Sequence, residues 1–273
     1  MRTVLVFGAS GAVGRHLLPL LPDTHYKVSP VSRGTRAGWI TGDLHVAEMD
    51  WPATDIVFSL GPLDAFAAWL ARQPQPPRRV IALSSMSAET KALSPDPAEH
   101  ELAERLRSAE ARLFDCSAER GIACTIFRPT LIYGAGSDRS LAPIARFARR
   151  WHLLPMPLGA NGLRQPVHAA DLAGACAAVI DVATTYARTY ALGGGERLTF
   201  ATMLHRLRTA QRGLILPVPV PRSALRISGV SPGVLARLRE PLVADNGAAT
   251  RDFGYAPRAF IAADVLPDGA DAR

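Results

Sequence analysis

The glycines of Gly8-Ala9-Ser10-Gly11-Ala12-Val13-Gly14 have the spacing of a turn that holds a pyrophosphate. Gly8 can take backbone angles barred to other residues. Gly11 lets a ligand approach the main chain, and Gly14 lets the next helix lie close on the preceding strand. The N–H groups at that helix start, around Gly11, Ala12 and Val13, face outward, where the helix dipole favours phosphate. Ser10 adds a hydroxyl that can bond to phosphate or backbone. The turn follows the apolar run Val4-Leu5-Val6-Phe7 and precedes Arg15-His16-Leu17-Leu18. A strand before the turn and an amphipathic run after it are the context that separates a dinucleotide site from a merely structural turn.

The end of the second strand distinguishes the two nicotinamide dinucleotides. An NAD site usually places a carboxylate there for the ribose hydroxyls, and an NADP site replaces it with arginine for the 2′-phosphate. No acidic residue lies between Asp23 and Asp43, and the strand runs into Ser32-Arg33-Gly34-Thr35-Arg36. Arg33 and Arg36 are therefore expected to prefer NADP(H), with NAD(H) as the alternative. Asp43 and Leu44 are placed to flank the adenine. Leu60 and Gly61 lie where backbone meets the cofactor's ribose and phosphates.

Positioning these groups needs a parallel sheet. Thr3–Phe7, Lys27–Ser32, Trp39–Thr41, Asp55–Leu60, Arg79–Ser84 and Ala123–Arg128 read as successive strands alternating with helical stretches, and the unbroken Val4–Phe7 run suits a strand buried on both faces. Helices are expected at Ala12–Leu21, Leu63–Arg72 and Ala98–Arg120, which makes a doubly wound α/β sheet of the Rossmann type. From about Ile132 loops alternate with helical runs at Leu141–Arg150, Asp171–Val182 and Phe200–Gln211. The Rossmann domain is placed at residues 1–135. A smaller interwoven substrate lobe follows at 136–260, part of it returning to the sheet, and residues 261–273 form a flexible tail.

The 273 residues are 48% hydrophobic and 20% charged, which describes a soluble globular chain. No apolar stretch approaches the roughly 20 residues of a membrane helix. With no secretory signal, a cytoplasmic location is expected. Cys116, Cys124 and Cys176 form no CxxC pair and fit reduced thiols. Neither they nor the seven histidines have metal-ligand spacing. The net charge is +7, and Lys27 and Lys91 are the only lysines among the 31 basic residues. Arg78-Arg79 and Arg146…Arg149-Arg150 lack the aromatic interleaving of a nucleic-acid surface and are taken as solvated faces. The expected partner is a small, phosphate-bearing molecule, with neither nucleic acid nor membrane, and the chain is expected to be a monomer or homodimer.

Over most of its length the chain resembles the extended short-chain dehydrogenase/reductase family, the NAD-dependent epimerase/dehydratase group. Gly8-x-x-Gly11-x-x-Gly14 matches the family's cofactor turn, and Gly42-Asp43-Leu44 its adenine contact. Leu83-Ser84-Ser85 matches the strand that carries the active-site serine or threonine. Glu110, Gly121 and Phe127-Arg128-Pro129-Thr130-Leu131-Ile132-Tyr133-Gly134 are similar to the segment closing the nicotinamide pocket. Arg164-Gln165-Pro166-Val167-His168-Ala169-Ala170-Asp171-Leu172 follows the Arg-x-x-x-His-x-x-Asp-Leu signature. The resemblance implies cofactor contacts from Ser84, Arg128 and Pro129, and substrate contacts from Ser85, Tyr133 and Arg164. Ser85 also fits a strand-end cap, and Arg164 a surface salt bridge. His168 and Asp171 are taken as structural, with Asp171 capping its helix.

One part of the pattern is missing. The family's proton chemistry rests on Tyr-x-x-x-Lys, and counting back from Glu110 and Arg128 puts those positions at Leu102 and Leu106. No tyrosine of this chain has a lysine four residues later. His100 and Glu104 share the i, i+4 spacing on the same helix and are the candidate substitute acid/base pair, along with Ser85 as an orienting hydroxyl. The alternative for both is an ordinary exposed face. Two functions follow: an NADP(H)-dependent oxidoreductase or epimerase acting on a small polar substrate such as a nucleotide sugar, or a catalytically silent NADP-binding sensor or assembly protein.

Overall fold

The computed structural model describes residues 1–46, 51–94, 96–134, 141–227, 235 and 238–266. Strands β1 (Arg2–Phe7), β2 (Tyr26–Ser32), β3 (Ile40–Thr41), β4 (Ile56–Ser59), β5 (Arg79–Leu83) and β6 (Ala123–Pro129) come in sequence order. Four short strands follow, β7 (Ile132–Tyr133), β8 (Leu153–Pro157), β9 (Leu163–Arg164) and β10 (Val167–His168), and then β11 (Arg188–Leu192). The main sheet has seven strands in the order β11-β6-β5-β4-β1-β2-β3. Every neighbouring pair in it is parallel. The order reverses between β1 and β4, the switch point where open sheets of this kind leave a crevice at the strands' carboxyl ends.

Alternation along β1 explains the two cores. Val4 and Val6 point to one face, where α1 (Ala12–Leu17) and, much later in the chain, α6 (Ala169–Ala178) supply Leu17, Leu172 and Cys176. Leu5 and Phe7 point to the other, against Phe66, Trp69 and Leu70 of α2 (Leu63–Arg72) and Leu113 of α4 (Pro97–Glu119). A short helix, α3 (Ser87–Thr90), separates β5 from α4. The smaller lobe adds α5 (Leu141–Trp151), β12 (Leu198–Thr199), α7 (Phe200–Thr209), β13 (Leu216–Val220) and α8 (Arg222–Ile227), whereas α9 (Gly247–Phe253) returns to the main sheet, with Ala249 and Phe253 in the core that holds Val4 and Val6. The smaller lobe's own core gathers Tyr133, Leu141, Met203, Leu207, Phe260 and Val265.

Several expected boundaries are corrected. The helix expected over Ala12–Leu21 closes at Leu17 and gives way to a 3-10 turn at Leu18–Leu20, because Pro19 has no N–H to continue the helix. The helix expected at Asp171–Val182 runs over Ala169–Ala178, capped by His168, whose Nδ1 accepts the Ala170 N–H at 3.1 Å. Asp171 is not the cap; its carboxylate accepts from the Arg258 main-chain and side-chain N–H groups. The flexible tail expected from Ile261 is corrected over residues 261–266, where Ala262–Val265 form a 3-10 turn with Val265 fully buried. Residues 267–273 lie outside the described residues, as do the loop positions Ala135-Gly136-Ser137 and the boundary placed between residues 135 and 136.

Arg79 also departs from a solvated face. It is 4% exposed, and its guanidinium donates to the carbonyls of Val179, Ile180 and Ala123 and to the Thr125 and Thr185 hydroxyls. Burial lowers its pKa from the usual arginine value. The residue links β5 and β6 to the segment after α6.

Candidate active site

A cavity of about 910 Å³ opens at the switch point, within the roughly 300–1,000 Å³ typical of small-molecule sites. One wall is the glycine turn: Gly8, Gly11, Ala12, Val13 and Gly14 line it together with Leu60 from the end of β4. Gly8 has φ +76°, and a Cβ there would lie 2.9 Å from the Leu60 carbonyl carbon and oxygen. At Gly14 a Cβ would lie 2.4 Å from the Gly8 oxygen and 2.6 Å from Ala9 Cα. The Gly11 N–H donates to the Gly8 carbonyl at 2.9 Å and closes the turn. Main chain therefore forms this wall, with no room for side chains at Gly8 and Gly14. That is the shape a pyrophosphate needs.

The opposite wall carries side chains. Ser85, just past β5, lines the cavity, and its Oγ accepts the Ser87 N–H at 3.1 Å. The hydroxyl thus braces the turn into α3 on a residue that lines the cavity. Lys91 and Glu99 line the same wall. Their charged ends are 3.3 Å apart, and Ser94 Oγ donates to Glu99 Oε2 at 2.8 Å. Pro129 and Thr130 close the end of β6. Arg164 reaches the cavity from the smaller lobe. It is 6% exposed, donates to the Leu163 and Glu240 carbonyls at 2.8 Å, and lies over the Phe200 ring at 5.4 Å. The alternative of a surface salt bridge at Arg164 is thereby corrected.

Other expected residues lie away from the cavity. Arg33 and Arg36 are exposed past the end of β2, with Arg36 5.0 Å from the Trp39 ring. Asp43 follows β3, its Oδ1 accepting the His45 N–H at 3.0 Å, and Leu44 is buried beside it. Ser10 is exposed on the glycine turn. Gly61 lines a smaller cleft with Ser84 and Leu106. Ser84 Oγ donates to Glu110, and the Arg128 guanidinium bonds to the same carboxylate and to Glu89. The Glu110 and Glu89 bonds raise the Arg128 pKa. Ser84 and Arg128 thus tie β5 and β6 to α4.

Two expectations are corrected by packing. Tyr133 is fully buried in the smaller lobe, not at the cavity. Its hydroxyl accepts the Ile261 N–H at 3.1 Å and donates to the Ala259 carbonyl at 3.4 Å, and burial pushes its pKa up to about 12. His100 and Glu104 pair at 3.8 Å with side chains 46% and 60% exposed, so they form a surface pair and do not line the cavity. Leu102 and Leu106 are half-buried on α4.

Lys91 and Glu99 were missed because no motif spacing joins them; the α3–α4 loop brings them together. The available signal was compositional, since Lys91 is one of two lysines in an arginine-rich chain. Among the described residues no helix is long and apolar enough to cross a membrane, and no cluster of His, Cys, Asp or Glu is gathered to hold a metal ion. Cys124 and Cys176 are buried, which pushes both thiols up to about 12.

No protein-family model matches the chain. The fold is shared with solved structures of epimerases and short-chain dehydrogenase/reductases. UDP-glucuronic acid 4-epimerase from Bacillus cereus in complex with NAD superposes with a TM-score of 0.73 at 14% identity, over 96% of this chain and 94% of that one. A human epimerase family protein with NADPH gives 0.67 at 17% identity, over 99% and 100%. Among curated proteins, the chain is 27% identical to NADH dehydrogenase (ubiquinone) 1 alpha subcomplex subunit 9, mitochondrial, of Arabidopsis thaliana, over 80% of this chain. It spans 61% of that relative's length.

Proposed function

We propose that the protein is an NADP(H)-dependent oxidoreductase or epimerase of the extended short-chain dehydrogenase/reductase family, acting on a small polar substrate of the nucleotide-sugar class. The observation that carries this reading is the continuity of one cavity from the glycine turn, past Ser85, to Arg164 of the smaller lobe. The glycine turn would hold the pyrophosphate, Arg33 and Arg36 the 2′-phosphate, and Asp43 and Leu44 the adenosine. Ser85 would orient the substrate, and Arg164 would meet an anionic group on it. When bound, the nicotinamide supplies a reversible hydride acceptor. The fold neighbours solved with NAD or NADPH, one of them a UDP-sugar epimerase, support both the cofactor class and the substrate class.

Calorimetric titration with NADPH and NADH, coupled to mass spectrometry of copurified ligands and a turnover screen of nucleotide sugars, tests the reading. NADPH is expected to bind more tightly than NADH. Binding of neither nucleotide overturns the proposal.

A second reading, a dinucleotide-binding protein without turnover, is favoured by Leu102 and Leu106, which can neither move a proton nor bond a ribose. Its similarity to a subunit of an NADH dehydrogenase is compatible with that reading. Absence of turnover across the screen, with NADPH bound, would select it.

A further inference from the structure

We propose that Lys91 binds and protonates the substrate oxygen at the reacting carbon, with Glu99 as the residue that positions it; this rests on the oxidoreductase reading above. Lys91 and Glu99 lie 3.3 Å apart with side chains 17% and 11% exposed, on the cavity wall that also carries Ser85. Taking such a pair this far out of water costs desolvation, and apolar residues of similar volume are often as stabilising. A structural role alone is a weak reason for it on a ligand-facing wall.

The placement on α4 is specific. Glu99, Leu102 and Leu106 follow i, i+3, i+7 and share one helical stripe. The carboxylate therefore sits one turn before the first of the two leucines that replace the family's proton-transfer pair. Ser94 holds Glu99 Oε2 from the loop, and the Glu99 main-chain N–H donates to the Asp96 carbonyl at 3.1 Å in the first turn. The Ser94 bond thus holds the carboxylate, and the backbone bond fixes the residue in the first turn of α4. An ammonium carries three donors and can give up a proton; a guanidinium cannot. In a chain whose other basic residues, save Lys27, are all arginine, that difference matters chemically at this position.

The proton balance is simple. When a substrate carbonyl is reduced, its carbon takes a hydride from the reduced nicotinamide dinucleotide and its oxygen takes a proton from Lys91. The amine then regains a proton from water. In the oxidative direction the neutral amine would accept the hydroxyl proton while the carbon gives its hydride to the oxidised nicotinamide dinucleotide. Arg164 and Ser85 hold other parts of the same substrate.

Amine labelling tests this without knowledge of the substrate, because Lys27 lies exposed on β2 and serves as an internal reference. Acetic anhydride labelling, read by mass spectrometry, should slow several-fold at Lys91 when NADPH is bound and stay constant at Lys27. Glu99→Gln should quicken Lys91 labelling in the nucleotide-free protein. With the substrate from the screen, Lys91→Met should lower turnover by about 10²–10⁴-fold while NADPH affinity stays nearly unchanged. Lys91→Arg keeps the charge and should not rescue the rate, whereas Lys27→Arg should leave both readouts unaltered. NADPH bound with Lys91 unprotected overturns the inference, as does parental turnover in Lys91→Met or Lys91→Arg. A parent protein that binds neither nucleotide refutes the oxidoreductase reading instead.

Discussion

The glycine-turn wall of the cavity is made of main chain from one contiguous segment, whereas the α3–α4 wall is made of side chains that meet only after the loop between those helices folds. At Gly14 the neighbouring backbone leaves no space for a Cβ, so residue identity there follows from local geometry. At Lys91 and Glu99 identity follows from chemistry across eight residues of chain, and nothing local demands either residue. The first wall tolerates almost no substitution and is legible as a motif. The second is set by side chains, and on the same α4 the half-buried Leu102 and Leu106 occupy the positions where the sequence resemblance leads one to expect tyrosine and lysine.

The comparison can be broken most forcefully at its structural supports. Arg79→Met removes the donor to the Val179, Ile180 and Ala123 carbonyls and two hydroxyls. Each buried acceptor left unpaired costs about 1–3 kcal/mol, so a fall in Tm of several degrees or more is expected in thermal unfolding. NADPH affinity per folded molecule should not change. Gly14→Ala should do the reverse in emphasis. Overpacking against Gly8 and Ala9 costs about 1–3 kcal/mol, and displacement of the turn should abolish NADPH binding by calorimetry. Tight binding in Gly14→Ala would show that the turn is not the pyrophosphate cradle.

A smaller effect separates the two dinucleotides. Arg33→Ala should cost about 1.5–3 kcal/mol of NADPH binding, one to two decades in Kd, with little change for NADH. Equal losses for both nucleotides would remove Arg33 from the 2′-phosphate site.

The cap of α6 predicts a pH dependence. Burial, the largest effect, holds the His168 pKa below its ordinary 6.5, with the Arg258 charge acting in the same direction. The unfolded chain then binds the proton more readily, so stability is full above pH 6.5 and falls as pH drops from there toward the folded value. Denaturant melts at pH 7 and pH 5 should show this acid loss in the parent and less of it in His168→Asn. The smallest effect is expected at His100→Ala, where the exposed partner Glu104 predicts a stability change within about 0.5 kcal/mol and unaltered turnover. A large loss of rate there would return the proton role to that pair.

How much was legible follows from the same contrast. Strands β1, β4, β5 and β6 were visible because parallel strands covered on both faces are written as largely apolar runs, whereas β2 carries the exposed Lys27 and is apolar only in part. Pro19 cut α1 short, and His168 rather than Asp171 began α6, since a histidine ring nitrogen caps as a carboxylate does but carries a weaker sequence signal. Tyr133 sits in a segment that resembles a pocket wall, yet Phe260, which packs edge-on at 4.9 Å, and the Ile261 N–H draw it into the smaller lobe's core. Those partners come from the far end of the chain, so no local pattern could report them.

By itself the sequence determined the glycine turn, the parallel sheet around it and the absence of the tyrosine–lysine pair, because each is a property of contiguous residues with a fixed period or spacing. Only the tertiary structure decided that Arg79 is buried, that Tyr133 is buried in the smaller lobe's core and does not line the cavity, and that Lys91 meets Glu99 on its wall. Those outcomes depend on which distant backbone groups are left needing a donor and on which loops bring opposite charges together out of water.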